Sequence, residues 1–139
     1  MQQISYASLS NADANQILID LRDILTEARN FNHQHQITGA LYYADGHFFQ
    51  CLEGQSEDLE YLLAKLQSDP RHSQLKIFKS KEISTRNFNN WAMKFVGRNS
   101  DVQNELKNLG FHDFIPTQFT QEHADFLIRY LASVEETNI

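Results

Sequence analysis

The chain has 139 residues, 41% hydrophobic content and a formal net charge of −6, which suits one globular domain with a core of its own. No Lys/Arg run resembles a phosphate-binding stripe, which argues against a nucleic-acid partner, and no stretch nears the roughly 20 apolar residues needed to cross a bilayer. The single cysteine, Cys51, excludes an internal disulfide, and "MQQISYASLS" lacks the order of a signal peptide, so a cytoplasmic location is expected.

Residues 2–8, "QQISYAS", alternate and are β-prone, with Ile4, Tyr6 and Ser8 on one face. "SNADAN" then supplies helix-capping residues. Ile17, Leu21, Ile24, Ala28 and Phe31 recur at helical spacing, which predicts a helix ending near Asn32. "ITGALYYADGHFFQCLEG" reads as a hairpin turning at Asp45-Gly46. In "SEDLEYLLAKLQSDPRH", Ser56 is the expected cap of a second helix, Leu59, Leu62, Leu63 and Leu66 form its apolar stripe, and Asp69-Pro70 stops it. "LKIFKSKEIS" and "NWAMKFVG" read as two further strands. The order is β-α-β-β-α-β plus a fifth strand, an α+β, ferredoxin-like pattern with two helices on one sheet face. Beyond residue 98, "DVQNELKNLG" and "TQEHADFLIRYLASVEE" read as a helical extension, 99–139, too short for its own core. Residues 101–139 hold seven acids and two bases.

Strand parity divides the side chains. Phe48, Gln50 and Leu52 face the helices with Tyr6, and Phe49, Cys51 and Val96 face away. That second face is apolar and needs a cover, for which the C-terminal helices are the nearest candidates. By the same parity Trp91, Met93 and Phe95 share a face. The bases Lys76, Lys79, Lys81, Arg86, Lys94 and Arg98 are expected to be a solvated face.

Known chemistries find little purchase. Of six histidines only His33 and His35 are close, and no cysteine or carboxylate stands at ligand spacing, so no metal site is expected. There is no Gly-rich phosphate loop and no nucleophile elbow. An acylphosphatase-like hydrolase on this fold needs Arg and Gly in the loop after the first strand, where "LSNADAN" has neither; no enzyme activity is expected. What stands out is polarity aimed at the core: Tyr6, Ser8, Asn32 and above all Gln50 in "GHFFQCLEG". A buried amide left unpaired costs roughly 1–3 kcal/mol. Either Tyr6 and Gln50 satisfy each other across adjacent strands, or these groups surround a ligand with a polar edge and a flat apolar body, in a slot lined by Ile24 and Leu66.

"ISYAS", "FNHQHQITGAL", "DGHFFQCLEG", "DPRHS" and "FNNWAMKFVG" together resemble the BLUF family of flavin-based blue-light sensors, over residues 2–98. The acidic C-terminal helices resemble those of the short, stand-alone members. The resemblance implies a flavin-binding domain over 1–98 that holds FAD without a covalent bond, with FMN or riboflavin as alternatives. It makes Tyr6 the electron donor, Gln50 the bridge between tyrosine and flavin, and Asn32 the holder of the ring's carbonyl and N–H edge. Trp91 and Met93 match the pair near the glutamine, Arg71 and His72 match residues at the pyrimidine end and ribityl chain, and Lys65 stands where a base reaches phosphate. Two positions depart from the family pattern: Phe31 replaces a second asparagine found in some members, and Ala28 a serine. Asn30 does not compensate, since one residue turns a helix by about 100°.

The expected mechanism is light-driven electron and proton transfer from Tyr6, leaving Gln50 rearranged and the flavin absorption red-shifted. The signal then passes through Trp91 and Met93 to the C-terminal helices and an unidentified downstream protein. A homo-oligomer is left open, and so is the second reading, a ligand-free ferredoxin-like interaction module with a merely structural polar core.

Overall fold

The computed structural model describes residues 1–139. Strand β1 (Gln2–Ser10) is followed by helix α1 (Ile17–Gln34), then β2 (Thr38–Ala44) and β3 (His47–Gly54), which form the hairpin. Asp45 and Gly46 at its turn both have positive φ, 52° and 80°, the conformation that matches strand twist in a two-residue turn. Helix α2 (Ser56–Gln67), β4 (His72–Ile77), β5 (Lys81–Glu82) and β6 (Lys94–Val96) complete the α+β, ferredoxin-like unit. The sheet runs β4-β1-β3-β2-β6, with β5 pairing to the end of β1; β6 lies parallel to β2 and the other pairs are antiparallel. The extension adds α3 (Ser100–Asn108), a 3₁₀ turn at Pro116–Gln118 and α4 (Gln121–Ser133).

Two apolar clusters sandwich the sheet. One joins Ile4, Phe48, Leu52, Met93 and Phe95 to Leu21 and Leu25 of α1 and Leu59 of α2. The other joins Ala7, Tyr42, Phe49, Cys51 and Val96 to Val102, Leu106, Phe114, Phe119, Leu127 and Leu131 of the extension. The C-terminal helices therefore cover the apolar second face. Fully burying each large apolar side chain there contributes about 1.5–3 kcal/mol.

Several local expectations are corrected. The helix α1 runs two residues past Asn32, ending before Gln36, whose φ is 55°. Ser56 is the first residue of α2 and not its cap; Gln55 holds the cap position without a side-chain bond. The run "LKIFKSKEIS" is two strands: β4 begins earlier, at His72, and a register shift against Ala7–Leu9 accompanies Gln74 at φ 54°. No glycine marks that irregularity, so the alternation hides it.

Of the six bases expected to form a solvated face, only Lys79 and Arg98 are exposed. Lys76 Nζ donates to Thr117 O and Phe119 O, Lys81 pairs with Asp125, and Lys94, only 3% exposed, donates to Leu131 O at 2.9 Å. Arg86 donates to Thr38, Gln36 and Glu53 backbone or side-chain oxygens. Three of the lysines thus fasten the acidic extension. Lys94 meets the C-terminal end of α4, where a helix presents unpaired carbonyls and partial negative charge.

Candidate functional site

Helical spacing builds one wall of a slot and repeats itself in the other. Ile24, Ala28, Phe31 and Asn32 descend one face of α1, and Leu62, Lys65 and Leu66 one face of α2, with Asp69 beyond its end. The sheet supplies the floor through Tyr6, Leu41, Phe48, Gln50 and Leu52, and Arg71 and His72 close one end. The slot is open, not filled by aliphatic side chains.

On the floor Tyr6 and Gln50 are directly opposed in the β1–β3 register. The Tyr6 hydroxyl donates to Gln50 Oε1 at 2.5 Å, and Gln50 Nε2 donates to Met93 Sδ at 3.6 Å, a weak acceptor. Burial, and after it the charge of Asp69, push the Tyr6 phenol far above its ordinary pKa. Asn32, 1% exposed, donates from Nδ2 to Ala92 O at 2.7 Å, and its Oδ1 is buried with no partner. An orphaned buried acceptor costs about 1–3 kcal/mol, so this oxygen calls for an N–H from something in the slot.

Around these, Ser8 does not line the slot; its hydroxyl pairs with His72 Nδ1 at 2.7 Å, while His72 Nε2 lies 2.6 Å from Leu66 O. Together they fix the imidazole that ties β4 to β1 and the end of α2. Arg71 is held by Asp69 through bonds of 2.7–3.2 Å and by Glu27 at 2.9 Å. Burial alone would raise the Asp69 carboxyl, but the hydrogen bonds and charge of Arg71 bring it below its usual range. Asp69 and Glu27 escaped the sequence reading, although Asp-Pro-Arg places a carboxylate two residues from the guanidinium. Lys65 Nζ stands over the rings of Phe31 and Tyr61, at 5.8 and 5.6 Å.

Trp91 and Met93 do not share a face, and neither lies in a strand, since β6 begins at Lys94. The Trp91 N–H bonds to Phe88 O in a tight turn, which breaks the alternation that parity needs. Met93 points to the slot side beside Gln50. Trp91 packs against the opposite cluster, its ring 5.6 Å from Lys94 Nζ. Gln50 therefore neighbours Met93 alone of the two. Sequence reasoning also passed over Glu53, fully buried, whose carboxylate accepts from Asn87 N, Phe88 N and Gln3 Nε2 and so anchors the start of this segment.

A narrow slot with apolar walls, one orphaned acceptor and a phenol–amide pair fits a flat heterocycle with a polar edge. The family model for BLUF, "Sensors of blue-light using FAD", matches residues 1–94. The chain belongs to the BLUF family. BLUF domains bind FAD, and the residues of this slot fit its ring. Among solved structures, BlsA in its photo-activated state superposes with a TM-score of 0.94 at 41% identity, covering 99% of each chain. BlrB in its dark state gives 0.77 at 26% identity, covering 96% of each. Photoactivated adenylate cyclase subunit alpha of Euglena gracilis is 36% identical over 74 residues, 53% of this chain. The match spans only 7% of that cyclase's length.

Proposed function

We propose that this BLUF protein converts blue light into a change at the Tyr6–Gln50 pair and signals it by protein contact, with residues 1–98 sensing and 99–139 taking part in output. The observation that carries this is the 2.5 Å bond from Tyr6 to Gln50, set in the same slot as the unpaired oxygen of Asn32. Asn32 Oδ1 would accept the ring N–H, Ile24 and Leu66 would flank the ring, and Arg71, His72 and Lys65 would serve its pyrimidine end, ribityl chain and phosphate. When bound, the flavin supplies absorption of blue light and an excited state that takes an electron.

Tyr6 is the donor. Its burial forbids simple loss of the proton, because a phenolate would be stranded in an apolar slot. Loss of an electron makes the phenol a strong acid, and the proton then has an acceptor 2.5 Å away in Gln50 Oε1. Return of electron and proton leaves Tyr6 as it began and Gln50 with its donor and acceptor ends rearranged. No bond to a substrate is made or broken, so the pair senses and does not catalyse.

Gln50 passes the change to Met93 through its sulfur contact, and Met93 adjoins β6, whose Lys94 holds the end of α4. That is a local hydrogen-bond change acting on a packed element. The ligand-free reading explains the Tyr6–Gln50 bond but leaves the open slot and Asn32 Oδ1 without purpose. The test is the absorption spectrum of the purified protein in the dark and under blue light. The sensor gives a yellow sample whose flavin band moves several nanometres to the red and recovers in the dark. A colourless protein that cannot be reconstituted with flavin would falsify it.

A further inference from the structure

Strand β6 ends the sheet, so one of its edges has no neighbouring strand. The backbone groups on that edge are nevertheless occupied. Arg29 Nε donates to Met93 O at 3.1 Å. Thr137 N donates to Phe95 O at 2.8 Å, and Gly97 N donates to Thr137 Oγ1 at 3.0 Å. The Glu136 carboxylate meets Phe95 N at 3.4 Å and Arg29 Nη2 at 3.3 Å.

Residues 136–137 thus lie where a further strand would pair, but they form only one backbone-to-backbone bond there. The other contacts come from side chains. A regular strand on the same edge would replace them with main-chain bonds, so the chain's own segment is a partial occupant. A groove of about 570 Å³ opens beside it, lined by Arg29, His33, Asn90, Trp91 and Asn138, with Glu136 as its one acidic side chain.

We propose that the edge of β6 is a docking site for an extended acidic segment of a partner protein, and that residues 134–139 of this chain hold it in the partner's absence. Strand addition draws affinity from main-chain bonds and specificity from side-chain positions. The positions here ask for a carboxylate, to meet Arg29 and Phe95 N, followed by a hydroxyl, to meet Gly97 N. Glu136-Thr137 is that pair written in cis, and a partner would present an Asp or Glu followed by Ser or Thr. A tethered occupant competes at an effective concentration on the order of millimolar, so the edge stays closed unless its hold weakens.

Light reaches this latch through Arg29, a step that rests on the function proposed above. The same guanidinium holds Met93 O and Glu136, and Met93 Sδ is bonded to Gln50. A shift of Met93 that follows Gln50 loosens Arg29, and with it the segment.

The experiment uses the full flavin-loaded chain and a fluorescein-labelled, acetylated peptide of residues 134–139, read by anisotropy. In the dark, Glu136→Gln should bind the peptide about tenfold tighter than the unaltered chain, because its own segment is weakened. Illumination of the unaltered chain should move affinity in the same direction. In the Glu136→Gln chain, whose own segment no longer uses Arg29, adding Arg29→Ala or presenting a peptide with Gln in place of its second Glu should lose about tenfold. The flavin red shift is recorded on every sample. A normal red shift with peptide binding to the Glu136→Gln chain that is absent, or indifferent there to Arg29→Ala, overturns the docking site and leaves the photochemistry standing. Arg29-dependent binding without any red shift keeps the docking site and sinks the light gate. A light-dependent dimer formed without peptide assigns the edge to a second copy and overturns the partner.

Discussion

Replacing Gln50 with leucine keeps the volume of the side chain and removes both ends of its amide. Tyr6, 4% exposed, then loses the acceptor of its 2.5 Å bond. An unpaired buried hydroxyl costs about 1–3 kcal/mol. Against this, the amide's remaining bond is a 3.6 Å contact with a weak sulfur acceptor, and the leucine recovers roughly 1 kcal/mol of apolar burial. The net loss is about 0–2 kcal/mol, which lowers Tm by at most roughly 8 °C in a domain of this size. Thermal unfolding in the dark measures it. FAD still binds, since Asn32 and the apolar walls are unchanged, but the red shift under blue light disappears. Tyr6→Phe removes the stranded hydroxyl, so the double variant should recover about 1 kcal/mol relative to the sum of the single ones. A Gln50→Leu protein with bound FAD and a full, reversible red shift refutes the amide switch. Costs that add within about 0.3 kcal/mol refute the stabilising bond.

Asn32→Ala deletes both the 2.7 Å bond to Ala92 O and the unpaired oxygen, and should weaken FAD binding about tenfold in a fluorescence titration. Unchanged affinity would count against that oxygen as a ring contact. Gly39→Ala should leave little folded protein, because the added Cβ would stand 2.2 Å from Cys51 O, a backbone atom that cannot swing aside. A soluble variant with an unaltered urea midpoint would contradict it. Alkali should destabilise the fold: burial pushes Tyr6 far above the ordinary 10.0 and Tyr42 up to about 12, so the folded state keeps protons that the unfolded chain releases. The stability they contribute is whole below pH 10 and falls as pH rises through 10 to 12. Tm measured across that range should fall less steeply in Tyr6→Phe; an identical slope would exclude the buried phenol as a cause.

The slot was legible where side-chain direction follows from a regular period. Two-residue alternation in β1 and β3 places Tyr6 and Gln50 on one face, and the 3.6-residue period of α1 brings Ile24 and Asn32 to the same side. It failed at Trp91, where a turn bonded to Phe88 O replaces extended backbone and reverses the expected face. The bases misled for a related reason. A lysine on a strand looks solvated until something packs over it, and only the folded extension brings Leu131 O to Lys94. Glu53 was hidden because its five partners come from residues 3, 38, 87 and 88, which nothing local connects.

By itself the sequence determined the order of the main elements apart from β5, the sheet face that carries the phenol and amide, and the family, because periodicity and short motifs are properties of neighbouring residues. Tertiary structure alone decided that Met93 stands at Gln50 and Trp91 does not, that lysines bind the extension, and that residues 136–137 lie along β6. Those outcomes depend on which distant segments meet, and a linear pattern carries no distance between them.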